Sequence, residues 1–478
     1  MQQIEPGQHD QNKNERLNFH LGLFGAILPF ILFVIGVIVI ALSGAPDERG
    51  FWPVLIGALS VSLFLAKDRK RFAESVIKGM SQEIVMIMIT AWILASIIGI
   101  TMAETGFVEA LTWTAGILSL GPVGVVLASF IICCTVSLST GSSFATILIC
   151  GPILYPSCGL VGANLPLLAG SIIAGATFGD FIAPISDTTI ASSLSQEAEI
   201  GKVVKSRIKY MIPVFLLSIL CFWIYAMTDT SSASVSQAAL NGDPIGLVMG
   251  IIPVFIIYLF IKGRHLLHGL LLGLVAALGV GLIFGLIPVS RIFSLDVANF
   301  TSQSIIIDGI NRAVGLSFFT ILLMGLVGSL TESGLTDSLL EFARKKRSDV
   351  RKSESLIAGM VGAAVLLTTH SIVAILMVSD VVLKSGKESG VGPVRRANIL
   401  SMVVCVFPFL LPYFIPVLLM TNTTQSGTEY DLPSVSPLEV GMHNFVAWGL
   451  LIMVILSIAF GYGRKRDDEA FANEHDQN

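Results

Sequence analysis

Apolar runs close to the length of a bilayer-crossing helix alternate with short polar loops along most of the chain. LGLFGAILPFILFVIGVIVIALS (21–43), IGLVMGIIPVFIIYLFI (245–261) and LLHGLLLGLVAALGVGLIFGLIP (266–288) are apolar all round. About 20 such residues cross the hydrocarbon core of a membrane. The pattern predicts helical spans at 21–43, 51–66, 84–101, 164–195, 209–229, 244–262, 266–288, 312–330, 397–421 and 442–462. Two further segments, 122–160 and 355–382, must each start and end on one side. Each is either a pair of short spans or a re-entrant hairpin with its tip at a Thr/Ser cluster.

Composition agrees. Of 478 residues, 54% are hydrophobic and 13% charged, against about 25% charged in soluble domains. The expected fold class is an all-α polytopic membrane protein with about 10–14 membrane segments. The six cysteines lie in or beside apolar runs without paired metal spacing, so they read as small packing residues. A phosphate-binding loop of the G-x-x-x-x-G-K-[ST] type is missing from the sequence, which argues against ATP drive. No nucleic-acid partner and no resident cofactor is expected.

A repeat runs through the chain. MAETGFVEAL (102–111) matches LTESGLTDSL (330–339), pairing Glu104 with Glu332, Gly106 with Gly334 and Glu109 with Asp337 at an offset of 228. The same offset lays SLSTGSSFATIL (137–148) on VLLTTHSIVAIL (365–376) and Pro184 on Pro412. Lys and Arg concentrate at 67–71, 202–209, 262–265, 343–352, 384–396 and 463–469, and cytoplasmic loops carry that excess. With those loops inside, the helix at 21–43 runs outward and its partner at 244–262 runs inward. The halves then have opposite topology, a signature of secondary transporters. The organisation expected is a cytoplasmic tail (1–18), a first repeat (19–230), an external linker (231–243), a second, inverted repeat (244–462) and a cytoplasmic tail (463–478), as a multi-pass protein of the cell (inner) membrane. A homodimer stays open.

Irregular backbone survives in a membrane only where it is buried in protein or lines a cavity. STGSS (139–143) and GDFIAPISDTT (179–189) interrupt apolar segments in the first half, with counterparts around 368–371 and 407–416. Gly179, Pro184 and Pro412 read as helix-breaking positions, since proline lacks an N–H and clashes with the preceding turn. Freed carbonyls, hydroxyls and a carboxylate make a hard oxygen site suited to Na⁺. Asp180 and Asp187 are therefore the expected cation ligands, with Ser186, Thr188, Thr189, Thr140, Ser142 and Ser143 around them and Thr368 and His370 from the second half. Ionisable groups this deep are costly and mark ion pathways. A carboxylate that binds a cation also accepts a proton, so the two compete for one site. The bland alternatives are that Asp187 caps the restarting helix, that Asp180 ends a helix at the interface, and that His370 is a satisfied buried donor.

GATFGDFIAPISDTT (175–189) and STGSSFATILICGP (139–152) resemble the NhaC family of sodium/proton antiporters, in which a GD–P–SDTT pattern recurs. The resemblance points to Gly179, Asp180, Pro184, Ser186, Asp187, Thr188 and Thr189. It implies inverted repeats around a central site, with Na⁺ and H⁺ as transported ions. TTHS (368–371) and FPFLLPYFIP (407–416) depart from the more polar second half that it implies. The function expected is Na⁺/H⁺ exchange by alternating access in contact with membrane lipid. The alternative is a Na⁺- or H⁺-coupled carrier of a small organic acid or amino acid. An enzyme is not expected, because both aspartates lie on one broken segment.

Overall fold

The computed structural model describes residues 16–43, 48–228, 243–296, 301–334 and 350–464. The expected tails lie mostly outside these residues, as do the linker at 231–242, Asp337 and the basic stretch 343–349. In chain order the helices are α1 (Gly22–Leu42), α2 (Trp52–Leu65), α3 (Arg69–Met80), α4 (Glu83–Glu104), α5 (Phe107–Ile117), α6 (Pro122–Thr140), α7 (Ser143–Leu160), α8 (Leu165–Ile182), α9 (Asp187–Ser195) and α10 (Ile200–Thr228). After the linker come α11 (Ile251–Ile261), α12 (Leu266–Ile283), α13 (Val289–Ile292), α14 (Ile305–Glu332), α15 (Val350–Thr368), α16 (Ser371–Ser389), α17 (Pro393–Val404), α18 (Ile415–Thr424), α19 (Pro437–Met442) and α20 (Phe445–Phe460). Strands β1 (Ser294–Asp296) and β2 (Thr301–Gln303) form a small antiparallel pair.

Among the described residues, nine segments are long and apolar enough to cross a membrane. The protein is an all-α polytopic membrane protein. Large apolar side chains such as Phe64, Val275, Ile283 and Phe460 face outward, as lipid contact requires.

Helix ends follow local chemistry. Asn164 accepts from the Leu167 N–H, Ser304 from that of Ile307, and Ser436 forms a capping box with Glu439. The ends also keep the repeat offset of 228. Helices stop at Glu104 and Glu332 and at Thr140 and Thr368, and start at Ser143 and Ser371 and at Asp187 and Ile415. Each of Glu104 and Glu332 closes its helix in an ion pair, with Arg291 and Lys78. Hydrogen bonding to Glu332 raises the Lys78 ammonium above its ordinary value.

Three expected boundaries are corrected. The basic run at 202–209 is no loop, because α10 starts at Ile200 and carries it. The basic run at 67–71 holds Asp68, which caps α3 by accepting from the Lys70 and Arg71 N–H groups. The span drawn at 397–421 is broken into α17, a 3₁₀ turn at Phe407–Phe409 and α18. Hydropathy measures apolar length, so it misses helix that continues through charged residues.

Candidate functional site

Four interruptions of helix converge on one cavity of about 60 Å³. Its walls are the α6–α7 tip (141–144), the α8–α9 break (Asp180, Asp187, Thr188), the α15–α16 tip (369–372) and the α17–α18 break (Pro408, Phe409, Ile415, Pro416). The lining residues pair across the repeat: Gly141 with Thr369, Ser142 with His370, Ser143 with Ser371, Asp180 with Pro408, Asp187 with Ile415 and Thr188 with Pro416. The first half brings both carboxylates. The second half brings apolar side chains at the matching places, with His370 as its titratable group in the cavity.

Helix α8 ends because Pro184 forces the preceding residue out of helical geometry. Ala183, its C-cap, is extended at ψ 132°. Asp180 therefore stands in the last turn of α8, beside the cavity. Ser143, at the start of α7, donates to its Oδ2 at 2.9 Å. Ser186, across the break, donates to its Oδ1 at 3.1 Å. Thr188 Oγ donates to the Asp180 carbonyl at 2.8 Å and lies 3.0 Å from Ser186 Oγ. One carboxylate is thus tied to the hairpin tip and to the restarting helix at once.

Gly179 does not break the helix; it lies inside α8. A Cβ there would sit 2.1 Å from Ser137 Oγ. The glycine lets α6 and α8 touch, which brings Asp180 onto the α6–α7 hairpin. The breaks at Pro184 and Pro412 are present, the latter between the 3₁₀ turn and α18.

The other expected ligands divide into two groups. Asp187, Thr188, Ser142, Ser143 and His370 line the cavity with Asp180. Asp187 is exposed to it from the first turn of α9, and Ser186, not Asp187, holds the N-cap position. Thr140, Thr368, Ser186 and Thr189 are turned to other tasks. Thr140 bonds Ser142 within the tip. Thr368 donates to the Ala364 and His370 carbonyls, Ser186 supports Asp180, and Thr189 accepts from Arg207. His370 is at the N-cap position of α16 without a capping bond, and its Nδ1 is buried with no hydrogen-bond partner among the described residues.

Two features were not expected. Thr369 is a non-glycine residue with positive φ, at the place of Gly141 in the first tip. Arg207, fully buried, reaches from α10 to the back of the α8–α9 break. It was hidden in a basic run that reads as a surface loop.

The Na⁺/H⁺ antiporter family model matches residues 24–228. The stretch contains the first tip, the α8–α9 break and Arg207. The chain is similar to a malate-2H(+)/Na(+)-lactate antiporter of Bacillus subtilis, 28% identical over 169 residues, 35% of each chain. It is 24% identical over 250 residues to the Na(+)/H(+) antiporter NhaC of Alkalihalophilus pseudofirmus, covering 49% of this chain and 54% of that one. Similarity to NhaC of Bacillus subtilis is 23% over 377 residues, 74% of this chain and 80% of that one. The match thus spans about a third of the first relative's length and about half of the second's. The resemblance to the NhaC family is borne out.

Proposed function

We propose that the protein exchanges Na⁺ for H⁺ across the cell membrane by alternating access, with Asp180 as the carboxylate that trades the two ions. The observation that carries this is Asp180 itself, held by Ser143 of a hairpin tip and Ser186 of a broken helix in a cavity that both repeats line. Asp187 adds a second negative charge and Thr188 a hydroxyl. Burial of a carboxylate favours its neutral form, so the empty site recruits a proton or a cation. With the basic loops cytoplasmic, α6–α7 enters from outside and α15–α16 from inside, so the halves are inverted and their tips meet at the site. Rocking of one bundle against the other then exposes the cavity to each side in turn.

A second reading is favoured by the malate/lactate relative: exchange of a small organic acid coupled to Na⁺ or H⁺. Two carboxylates in the cavity wall repel such an anion, so the cation reading takes precedence.

The test is Na⁺-dependent collapse of an imposed pH gradient in everted vesicles or proteoliposomes. Wild type is expected to collapse the gradient, and Asp180→Asn is expected not to. If folded wild type gives no response while a control antiporter works, the exchange reading fails and labelled organic acids become the next substrates.

A further inference from the structure

Arg207 is buried, and the described residues hold no carboxylate in an ion pair with it. Its guanidinium donates to the Phe181 carbonyl at 2.7 Å, Thr189 Oγ at 2.7 Å, Ser192 Oγ at 3.1 Å, Ser401 Oγ at 2.7 Å and Asn398 Oδ1 at 3.2 Å. It also stands 5.1 Å from the centre of the Phe181 ring. All these partners are neutral. A buried charge without an opposite charge is expensive. The carbonyl it holds belongs to the residue after Asp180, at the end of α8, where unpaired carbonyls favour a cation. Thr188, which bonds the Asp180 carbonyl, also accepts through its own carbonyl from Ser401, a guanidinium partner in the second half. The carboxylate and the guanidinium thus flank one unwound segment from its two sides.

Resting on the exchange reading above, we propose that Arg207 is a positioning residue and fixed countercharge of the ion site. It clamps the α8–α9 break to α17 of the other repeat. It offsets one of the two carboxylate charges, so a single monovalent ion, Na⁺ or H⁺, neutralises the site. Asp187 on α9, His370 at the second tip and the Cys405 thiol after α17 are the other titratable groups around Asp180. Helices α6 and α7 bring no charged residue.

The experiment is ²²Na⁺ binding to purified protein over a pH series, together with exchange in proteoliposomes. Arg207→Gln keeps two N–H donors and removes the charge. Without that positive charge the carboxylates hold both protons and Na⁺ more tightly. With ²²Na⁺ held at trace concentration, far below half-saturation, the pH of half-maximal binding is expected to rise by about one unit, and the Na⁺ concentration for half-saturation at alkaline pH to fall about tenfold. Ser401→Asp neutralises the guanidinium in place and is expected to shift both in the same direction. Arg207→Lys is expected to keep the wild-type pH profile even where its rate falls. Loss of rate in Arg207→Gln with an unmoved pH profile and half-saturation overturns the proposal and leaves a structural clamp. If Arg207→Gln does not fold, an unshifted profile in Ser401→Asp overturns it equally. Absence of Na⁺ binding in wild type would instead overturn the exchange reading.

Discussion

Gly141 and Thr369 stand 228 positions apart, turn the two hairpin tips with the same left-handed backbone, and line the same cavity. Their φ angles are +66° and +55°. Glycine adopts this conformation freely. A β-branched residue does so rarely, at about 1–2 kcal/mol, part of which glycine's greater backbone entropy takes back. Thr369→Gly is therefore expected to stabilise the protein by about 0.5–1 kcal/mol, read as a rise in the thermal unfolding midpoint in detergent. Gly141→Ala should do the opposite, because its Cβ would lie 2.6 Å from Ile185 Cγ1.

The Asp180 carboxylate accepts one hydroxyl from the α6–α7 tip and one from across the α8–α9 break. Ser143→Ala and Ser186→Ala each remove one bond to a charged group, a loss of about 1.5–3 kcal/mol. Each is expected to raise the half-saturating Na⁺ concentration roughly tenfold or more. Asp180→Asn should abolish exchange. Asp187, which accepts no side-chain hydrogen bond among the described residues and is exposed to the cavity, should give a milder Asn variant whose Na⁺ affinity falls while exchange persists. Na⁺ titrations of pH-gradient collapse separate these outcomes.

Competition of one proton with one Na⁺ has a definite slope. As pH falls through the range where the site takes up its proton, the half-saturating Na⁺ concentration should rise about tenfold per pH unit. Binding of Na⁺ should release close to one proton in weakly buffered detergent solution. A half-saturation that stays flat through the pH range in which the empty site takes up its proton would exclude competition at a shared carboxylate.

Gly179 is pressed on Ser137. Gly179→Ala overpacks the α6–α8 contact, at a cost of about 1–3 kcal/mol, and pushes Asp180 away from Ser143. The variant is expected to unfold at lower temperature and to bind Na⁺ more weakly. Because the new Cβ would also lie 2.4 Å from the Ser137 backbone carbon, adding Ser137→Gly is not expected to restore either loss.

On the side assigned to the cytoplasm, Glu354 is fully buried between Arg395 and Arg464, at 2.9 Å and 2.6 Å. This joins α15, α17 and the segment that follows α20. Glu354→Gln leaves Arg395 buried without its carboxylate, which should cost about 3–5 kcal/mol. Arg464→Ala leaves the buried pair intact and should cost less. Unfolding midpoints in detergent rank the two.

The sequence by itself determined the membrane class, the offset of 228, the breaks near 141, 184, 369 and 412, and Asp180 as a buried carboxylate. These are one-dimensional signals: apolar length, spacing, proline, and a charge inside an apolar run. Only the tertiary structure decided which hydroxyls serve that carboxylate. Ser143 and Thr140 are three residues apart, yet one starts a helix facing Asp180 and the other ends a helix and bonds its own turn. It also turned Gly179 from a helix breaker into a contact point, and moved Arg207 from a basic loop to the back of the site. The reason is physical. A side chain's direction at a helix end, and what a buried charge meets, depend on which distant helix packs there. Here those helices come from positions 137–143 and 398–401, far from 179–207 along the chain.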